Sequence, residues 1–396
     1  MPQGEFRKRN LATSIYLPSL LFTAAEGVLL PILPVSATLY GFSLAQAGII
    51  TTALMLGTFL FELPASWINS RLGERRSMLL AAVVGALITF SAFFELGYFA
   101  LLVAAILFGA AHSLFGLGRH SLMTELVPVD QRPRSMSLVG GMFRAGAAIG
   151  PVIGSAFISL FGVNSAYLAA SMICLAAATS VLSAPKTKVV MSPSGQNGNV
   201  WAVAKRESPK LATLGVAVAI ISASRTIRLI GLPLLAIQLG IDPATASFIF
   251  GITGFIDFTL FYLSGIIMDK YGKFWSSVPT LLTLGTVYLF TFFVTDLTGF
   301  WILASLTALA NALSAGINMV LGADLAPPGS RSEFLAAFRF MVSGGVVVSP
   351  ALITILTGLI GLSGAMASAG MLNFLGAYLF WRYLPIYAPH KKQSGD

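Results

Sequence analysis

Charge is what this sequence has least of. Asp, Glu, Lys and Arg make up 10% of its 396 residues, against about 25% in an average soluble domain. Apolar residues make up 56%, and the mean hydropathy is +0.84. A soluble globule of this size cannot cover its surface with so few charges, so a soluble domain and a disordered chain are both excluded. Cysteine is nearly absent. The single Cys174 lies in an apolar stretch and cannot close an intrachain disulfide, which excludes a secreted disulfide scaffold; it reads as a buried packing residue. His112, His120 and His390 offer no metal-site spacing, so neither metal nor cofactor is expected, and His120 reads as interfacial. Missing too are a phosphate-binding Gly-Lys-Ser/Thr loop, a His-Glu-x-x-His helix and a Gly-x-Ser-x-Gly turn. Their absence argues against an enzyme and against self-contained ATP-driven transport. The lack of a soluble effector domain argues against a pure sensor.

What is present is long apolar runs, which imply an all-α membrane protein rather than a barrel. The hydropathy pattern predicts twelve spans at 12–39, 45–69, 77–95, 98–123, 136–162, 165–184, 211–239, 244–268, 275–295, 298–323, 334–361 and 364–383. The first run is too long for a signal sequence and lacks a small-residue cleavage site, so no cleavable signal is expected. Most connections are short. The exception, 185–210, is polar, basic and rich in Pro, Ser, Gly and Asn, and reads as a mobile cytoplasmic linker between halves 1–184 and 211–396.

The basic residues orient the chain. Of 24 Lys and Arg, 19 fall in the termini and one set of connections: Arg7, Lys8, Arg9, Arg71, Arg75, Arg76, Arg132, Arg134, Lys186, Lys188, Lys205, Arg206, Lys210, Lys270, Lys273, Arg331, Arg382, Lys391 and Lys392. The opposite connections hold only Glu95, Asp242 and Asp296. The positive-inside rule therefore places both termini in the cytoplasm. The same scatter between spans, rather than on a polar module, excludes nucleic acid as a partner of the +9 chain.

An internal repeat organises these spans. A constant shift of 199 positions pairs Pro34 with Pro233, Gly41 with Gly240, Gly73 with Gly272, Pro128 with Pro327, Arg132 with Arg331, Gly146 with Gly345 and Pro151 with Pro350. A shift of six spans conserves orientation, so the halves are parallel repeats about an axis along the membrane normal.

Two motifs carry a resemblance. The turn Gly265-Ile266-Ile267-Met268-Asp269-Lys270-Tyr271-Gly272-Lys273 combines a glycine suited to positive φ, an acid placed to cap or face a neighbouring helix N-terminus and cations on the cytoplasmic side. It resembles the loop signature of the major facilitator superfamily. The equivalent first-half turn departs from it, with Ser66 and Ser70 in place of the glycine and the acid, so the charged lock is expected in the second half. Span 5 reads Gly146-Ala147-Ala148-Ile149-Gly150-Pro151-Val152-Ile153-Gly154-Ser155, similar to the motif of that family's 12-span drug:proton antiporters. Gly146, Gly150 and Gly154 form one flat face for close helix approach, kinked by Pro151, and are expected to serve a rocking contact between the halves. The resemblance implies a twelve-helix fold of two six-helix repeats and favours export by antiport. The family's basic residue early in span 4, near Ala105, is absent.

Ionisable residues inside spans are costly and usually face a cavity. Here they are Glu26, Glu62, Arg119, Arg144, Arg225, Arg228, Asp257 and Arg339. Glu26, Arg225 and Asp257 lie roughly 20 Å from their span starts, Arg228 is one turn from Arg225, and the repeat shift pairs Arg225 with Glu26. These four are the expected substrate-binding residues, unless the acids merely neutralise the arginines. Glu26 and Asp257 are the candidates for proton coupling. Glu62 and Arg144, roughly 10–12 Å deep, are expected to pair as a gate, joined by Arg119, Asp269, Lys270, Gly272 and the span 5 residues. Arg339 sits within snorkelling reach of water. Five interior cations against three acids favour an anionic or zwitterionic solute, held as a carboxylate or phosphate.

The reading is a monomeric, multi-pass transporter of the bacterial cytoplasmic membrane, partnered by a small-molecule substrate, protons and the bilayer. Proton-coupled export of a siderophore-like metabolite or drug stands first, with uptake symport and lipid or glycolipid flipping as alternatives. Because only Cys174 is native, cysteines placed at Ser70 and Thr295 test the topology. An impermeant maleimide added to intact cells is expected to label T295C and spare S70C; the reverse pattern would overturn the orientation.

Overall fold

The computed structural model describes residues 11–128, 131–182 and 200–389. The terminal residues and 183–199, with the basic residues assigned to them above, lie outside these. An apolar medium offers backbone groups no partner, so each segment satisfies its own by forming a helix; among the described residues there are helices and turns and no strand. In chain order the helices are α1 (Leu17–Leu39), α2 (Leu44–Leu60), α3 (Glu62–Leu72), α4 (Glu74–Ala92), α5 (Tyr98–Leu126), α6 (Arg132–Phe161), α7 (Ser165–Leu182), α8 (Val200–Arg206), α9 (Val216–Gln238), α10 (Pro243–Tyr271), α11 (Lys273–Leu289), α12 (Leu297–Leu313), α13 (Ile317–Leu325) and α14 (Arg331–Tyr387).

Ten helical stretches are long and apolar enough to cross a bilayer, and α2 with α3, bent by 50° at their junction, form an eleventh. The 57-residue α14 contains Gly361 at φ 75°, ψ 166°. No helix continues through that conformation, so α14 is two spans, and the described residues account for the expected twelve.

The repeat is visible in detail. A π-helical turn precedes α1 at Ala12–Tyr16 and α9 at Leu211–Gly215, 199 positions apart. Ser43 caps α2, accepting from the Gln46 amide, and Asp242, at the equivalent position, accepts from the Thr245 amide at 3.0 Å. Gly73 and Gly272 both turn the chain at positive φ, as do Gly162 and Gly361, conformations that L side chains resist.

Chain contacts divide the molecule into two units. The first takes Met1–Pro193 with Ala236–Phe255, the second Ser194–Leu235 with Ile256–Asp396. This differs from a cut at the linker, because the end of α9 and the start of α10 sort with the first unit. Of the expected linker, 185–199 falls outside the described residues and 200–210 is helical rather than mobile. Val203 and Leu211 anchor that stretch in the second unit's core, beside Leu214, Leu321 and Phe334. In the first unit α1 packs on α6 and α7, and the Phe22 ring stacks between Phe108 and Phe115, at 5.7 and 4.3 Å.

The glycine face of α6 packs against α1, within the first unit. Cβ atoms at Gly146 and Gly150 would lie 2.5 Å from the Leu20 carbonyl oxygen and 2.2 Å from that of Ala24, and one at Gly154 would lie 3.2 Å from Val28. The face lets α6 approach the backbone of α1 within the first unit. Pro151 sits on the same seam, its Cδ 3.2 Å from a Cβ built at Gly27. A neighbouring strip of α6 meets the start of α10, which belongs to the same unit. There Gly251 lies against Val152 and Gly254 against Ala148, and the Ser155 hydroxyl donates to the Ala244 carbonyl at 2.7 Å.

In the second unit Gly345 repeats the Gly146 contact. Its Cβ would lie 2.1 Å from the carbonyl oxygen of Ala219, the residue equivalent to Leu20, whereas a Cβ at Gly344 meets nothing within 4 Å. Gly345→Ala is expected to destabilise the purified protein by about 1–3 kcal/mol, read as a lower thermal midpoint, with Gly344→Ala close to wild type. Equal midpoints for the two variants would contradict the close approach.

Candidate functional site

Two polar clusters lie within the spans, one in each unit. In the first, Glu26 projects from the middle of α1, a helix whose surroundings are apolar. Its carboxylate Oε2 lies 3.3 Å from Nδ1 of His112 on α5, and the side chains are 17% and 26% exposed. The Phe22 ring lies 6.1 Å from the imidazole. Sequence reading named Glu26 and passed over His112. A signal was available: the shift of 199 that carries Glu26 onto Arg225 carries His112 onto Asn311, two polar residues at equivalent depths of equivalent helices. Ala105, where the family resemblance looks for a cation, is buried at 2% exposure; two helical turns further on, α5 presents His112.

In the second unit α9 places Arg225 and Arg228 one turn apart on one face. Arg225 Nη2 donates to the carbonyl oxygen of Ser314 at 2.5 Å and to its hydroxyl at 3.0 Å. That carbonyl sits in the break between α12 and α13, where the turn tightens and the Ile317 amide bonds back to Ser314. Breaking a helix inside a span strands acceptors. Here Arg225 serves the Ser314 carbonyl, and the Ser276 hydroxyl serves Leu313 at 2.6 Å. One turn earlier on α12, Asn311 Nδ2 donates to Asp257 Oδ2 at 2.9 Å, and Asp257 is 8% exposed. The structure thus gathers two predicted residues, Arg225 and Asp257, through Ser314 and Asn311, which sequence reading did not single out. Arg228 is an electrostatic neighbour of Tyr288, whose hydroxyl donates to the Ser224 carbonyl at 2.8 Å. Nη1 of Arg228 is buried without a hydrogen-bond partner among the described residues.

The expected gating residues are dispersed. Glu62 opens α3 at the bend and is exposed rather than interior, because the 50° bend turns α3 away from the line of α2. Arg144 is half-buried on α6. Arg119 is half-buried on α5 and lies 4.1 Å over the Phe143 ring, a cation–π contact. Arg339 is exposed.

At the α10–α11 turn, Asp269 and Lys270 are exposed, and Gly272 at φ 90° caps α11 without a side-chain bond. Asp269 therefore does not cap α11. The ion pair of this turn belongs to Lys273, whose Nζ lies 2.5 Å from Asp324 Oδ2 on α13. The equivalent first-unit positions hold Glu74 and Glu125, two acids that act on each other electrostatically.

A twice-repeated set of apolar helices with ionised groups inside its spans is the architecture of a polytopic membrane protein with a polar interior. The family model of the Major Facilitator Superfamily matches residues 15–213 and again 214–396, and the chain belongs to that superfamily. It is 29% identical over 154 residues to an uncharacterized MFS-type transporter, YfkF, of Bacillus subtilis (strain 168), covering 37% of each chain. It is 29% identical over 143 residues to probable anion transporter 6 of Oryza sativa subsp. japonica, covering 36% of this chain and 33% of that one. The match thus spans about a third of the length of these relatives. Among solved structures, a bacterial homolog of the human lysosomal transporter Spinster superposes with TM-score 0.76 at 13% identity, over 99% of this chain and 100% of that one. The human organic anion transporter MFSD10 superposes with TM-score 0.64 at 16% identity, over 94% and 99%. These likenesses establish the fold. The chain is a multi-span membrane protein of that superfamily.

The elbow before α9 has its own electrostatics, outside the spans. Glu207 lies 2.7 Å from Lys210 Nζ and 3.1 Å from Arg206 Nε. Lys210 also donates to the Leu325 carbonyl at 3.4 Å, and Arg206 to the Ser330 hydroxyl at 2.7 Å. The hydrogen bond from Lys210, more than the charge of either cation, holds the Glu207 carboxyl below the usual carboxylate range. A depressed folded-state pKa contributes stability above the unfolded value, about 4.3, and that contribution is lost as pH falls through the folded one. Glu207→Gln is therefore expected to lower the thermal midpoint at pH 7, with the difference from wild type closing as the pH falls through the acid range. A difference independent of pH would refute the assignment.

Proposed function

We propose that this chain is a proton-coupled antiporter that exports a small organic anion or zwitterion from a bacterial cytoplasm, both of its termini being cytoplasmic. The observation that carries the anion assignment is Arg228, whose Nη1 is a buried donor without a hydrogen-bond partner among the described residues, one turn from the guanidinium of Arg225. A cation and an idle donor inside a span are costly, and a carboxylate or phosphate supplies both the missing charge and the missing acceptor. Arg225 and Arg228 are then assigned the anionic group, and Glu26 and Asp257 an ammonium group or a proton.

The name of the rice relative, a probable anion transporter, and that of MFSD10, an organic anion transporter, point the same way. Antiport rests on the likeness of Gly146 to Ser155 to the span 5 motif of drug:proton antiporters. Gating is assigned to the α6 seam of Gly146, Gly150, Pro151 and Gly154, to Glu62, Arg119 and Arg144, and to the turn at Asp269, Lys270 and Gly272. The two six-helix halves, 1–184 and 211–396, act as the moving bodies of a monomer.

The test is transport in reconstituted vesicles, with and without an imposed pH gradient, across a panel of carboxylates, phosphate esters, zwitterions and lipophilic cations. Proton-driven movement of an anion or zwitterion is expected. Arg228→Gln should weaken that solute's apparent affinity roughly 10- to 100-fold, as the loss of a charged hydrogen bond of about 1.5–3 kcal/mol implies. Movement of lipophilic cations alone would overturn the reading.

A further inference from the structure

We infer that Glu26 and His112 form a single proton-binding pair, in which His112 is a functional partner of Glu26 rather than a packing residue. This deepens the proton-coupling reading above and rests on it. The two side chains approach to 3.3 Å in the apolar middle of the first unit, on separate helices, α1 and α5. His112 Nδ1, the atom that faces the carboxylate, is buried and has no hydrogen-bond partner among the described residues. A proton added there turns an idle nitrogen into a donor aimed at Glu26 and creates an ion pair where one anion stood. A second proton neutralises the carboxylate. The pair therefore gains charge in two steps that belong to both residues together.

The repeat supplies the second argument. The positions equivalent to Glu26 and His112 are Arg225 and Asn311. Arginine keeps its proton and asparagine has none to exchange. At these two positions the first unit carries titratable groups and the second carries none. The proton held at this pair of positions is therefore assigned to the first unit, where the second has a fixed cation.

The groups that bear on the pair from neighbouring helices are few. The α2 sequence contains no titratable residue, and the charges of α4 all lie in its first turn. On α3 there is Glu62, exposed at the bend; on α5, Arg119, two turns along and held over Phe143; on α6, Arg144. On α7, Cys174 is buried near Gly85, and Tyr167 is bonded to Ser36.

The experiment is a pH titration of the full-length protein in lipid nanodiscs, labelled with 15N-histidine. Three histidines give a spectrum in which His112 is assigned by its loss in His112→Asn, a change to the residue the repeat already carries at that position. The His112 titration is expected to change in Glu26→Gln, because the steps of a shared pair belong to both groups. An unchanged midpoint, or a His112 that does not titrate, overturns the pair. If Glu26→Gln does not fold, the infrared carboxyl band of Glu26 is titrated in His112→Asn. There the midpoint is expected to differ from that of the parent protein, and an unchanged midpoint is again fatal. Neither readout uses transport, so a shifted midpoint in a protein that moves its solute without protons would count against the coupling and leave the pair standing.

Discussion

The backbone polar groups that this chain carries into the apolar phase have to be satisfied from within the chain, and that requirement shapes the molecule. It forces the backbone into helices, and it decides where a helix is allowed to break. The gap between α12 and α13 survives because the Ser276 hydroxyl and the Arg225 guanidinium take up the Leu313 and Ser314 carbonyls. Tyr167 donates to Ser36, Tyr288 to the Ser224 carbonyl, and Asn311 to Asp257, each tying one helix to another. In water such bonds contribute little, because solvent competes for them. Between apolar helices they set register.

Close approach of backbones does the rest. Leucine against leucine offers no advantage over leucine against lipid, so association depends on helices coming near enough for dispersion to add up. Gly146 and Gly150 bring α6 onto the carbonyls of α1, and Gly345 brings α14 onto α9. The same contact, made twice at positions 199 residues apart, shows that duplication preserved the crossing of these helices while the chemistry around it diverged.

That divergence is concentrated at a few equivalent positions. Glu26 and His112 stand where the second unit has Arg225 and Asn311; Glu74 and Glu125 stand where it has Lys273 and Asp324. Substitution at a repeated position changes charge without changing the fold, which allows one bundle architecture to hold an acid in one copy and a fixed cation in the other. Asymmetry of this kind is what a transporter needs if its two halves are to treat a solute and a proton differently.

Composition and period were enough to establish a helical membrane protein of twelve spans, because burial in a bilayer leaves a signal about 20 residues long that turns and charges punctuate. The repeat was equally legible, since Pro34 with Pro233 or Gly73 with Gly272 mark backbone conformations rather than interchangeable surface. Depth along a span was legible as well, because a helix rises by a fixed step, and Glu26, Arg225 and Asp257 were singled out by it. Rotation was not. A residue's azimuth depends on which neighbour its helix packs against, so the flat face of α6 turned toward α1, Glu62 came out at an exposed bend, and Asp269 left the ion pair of its turn to Lys273. Only the tertiary structure set His112 beside Glu26, and Ser314 and Asn311 beside Arg225 and Asp257. Pairing across helices is decided by packing in three dimensions, which no spacing along one chain encodes.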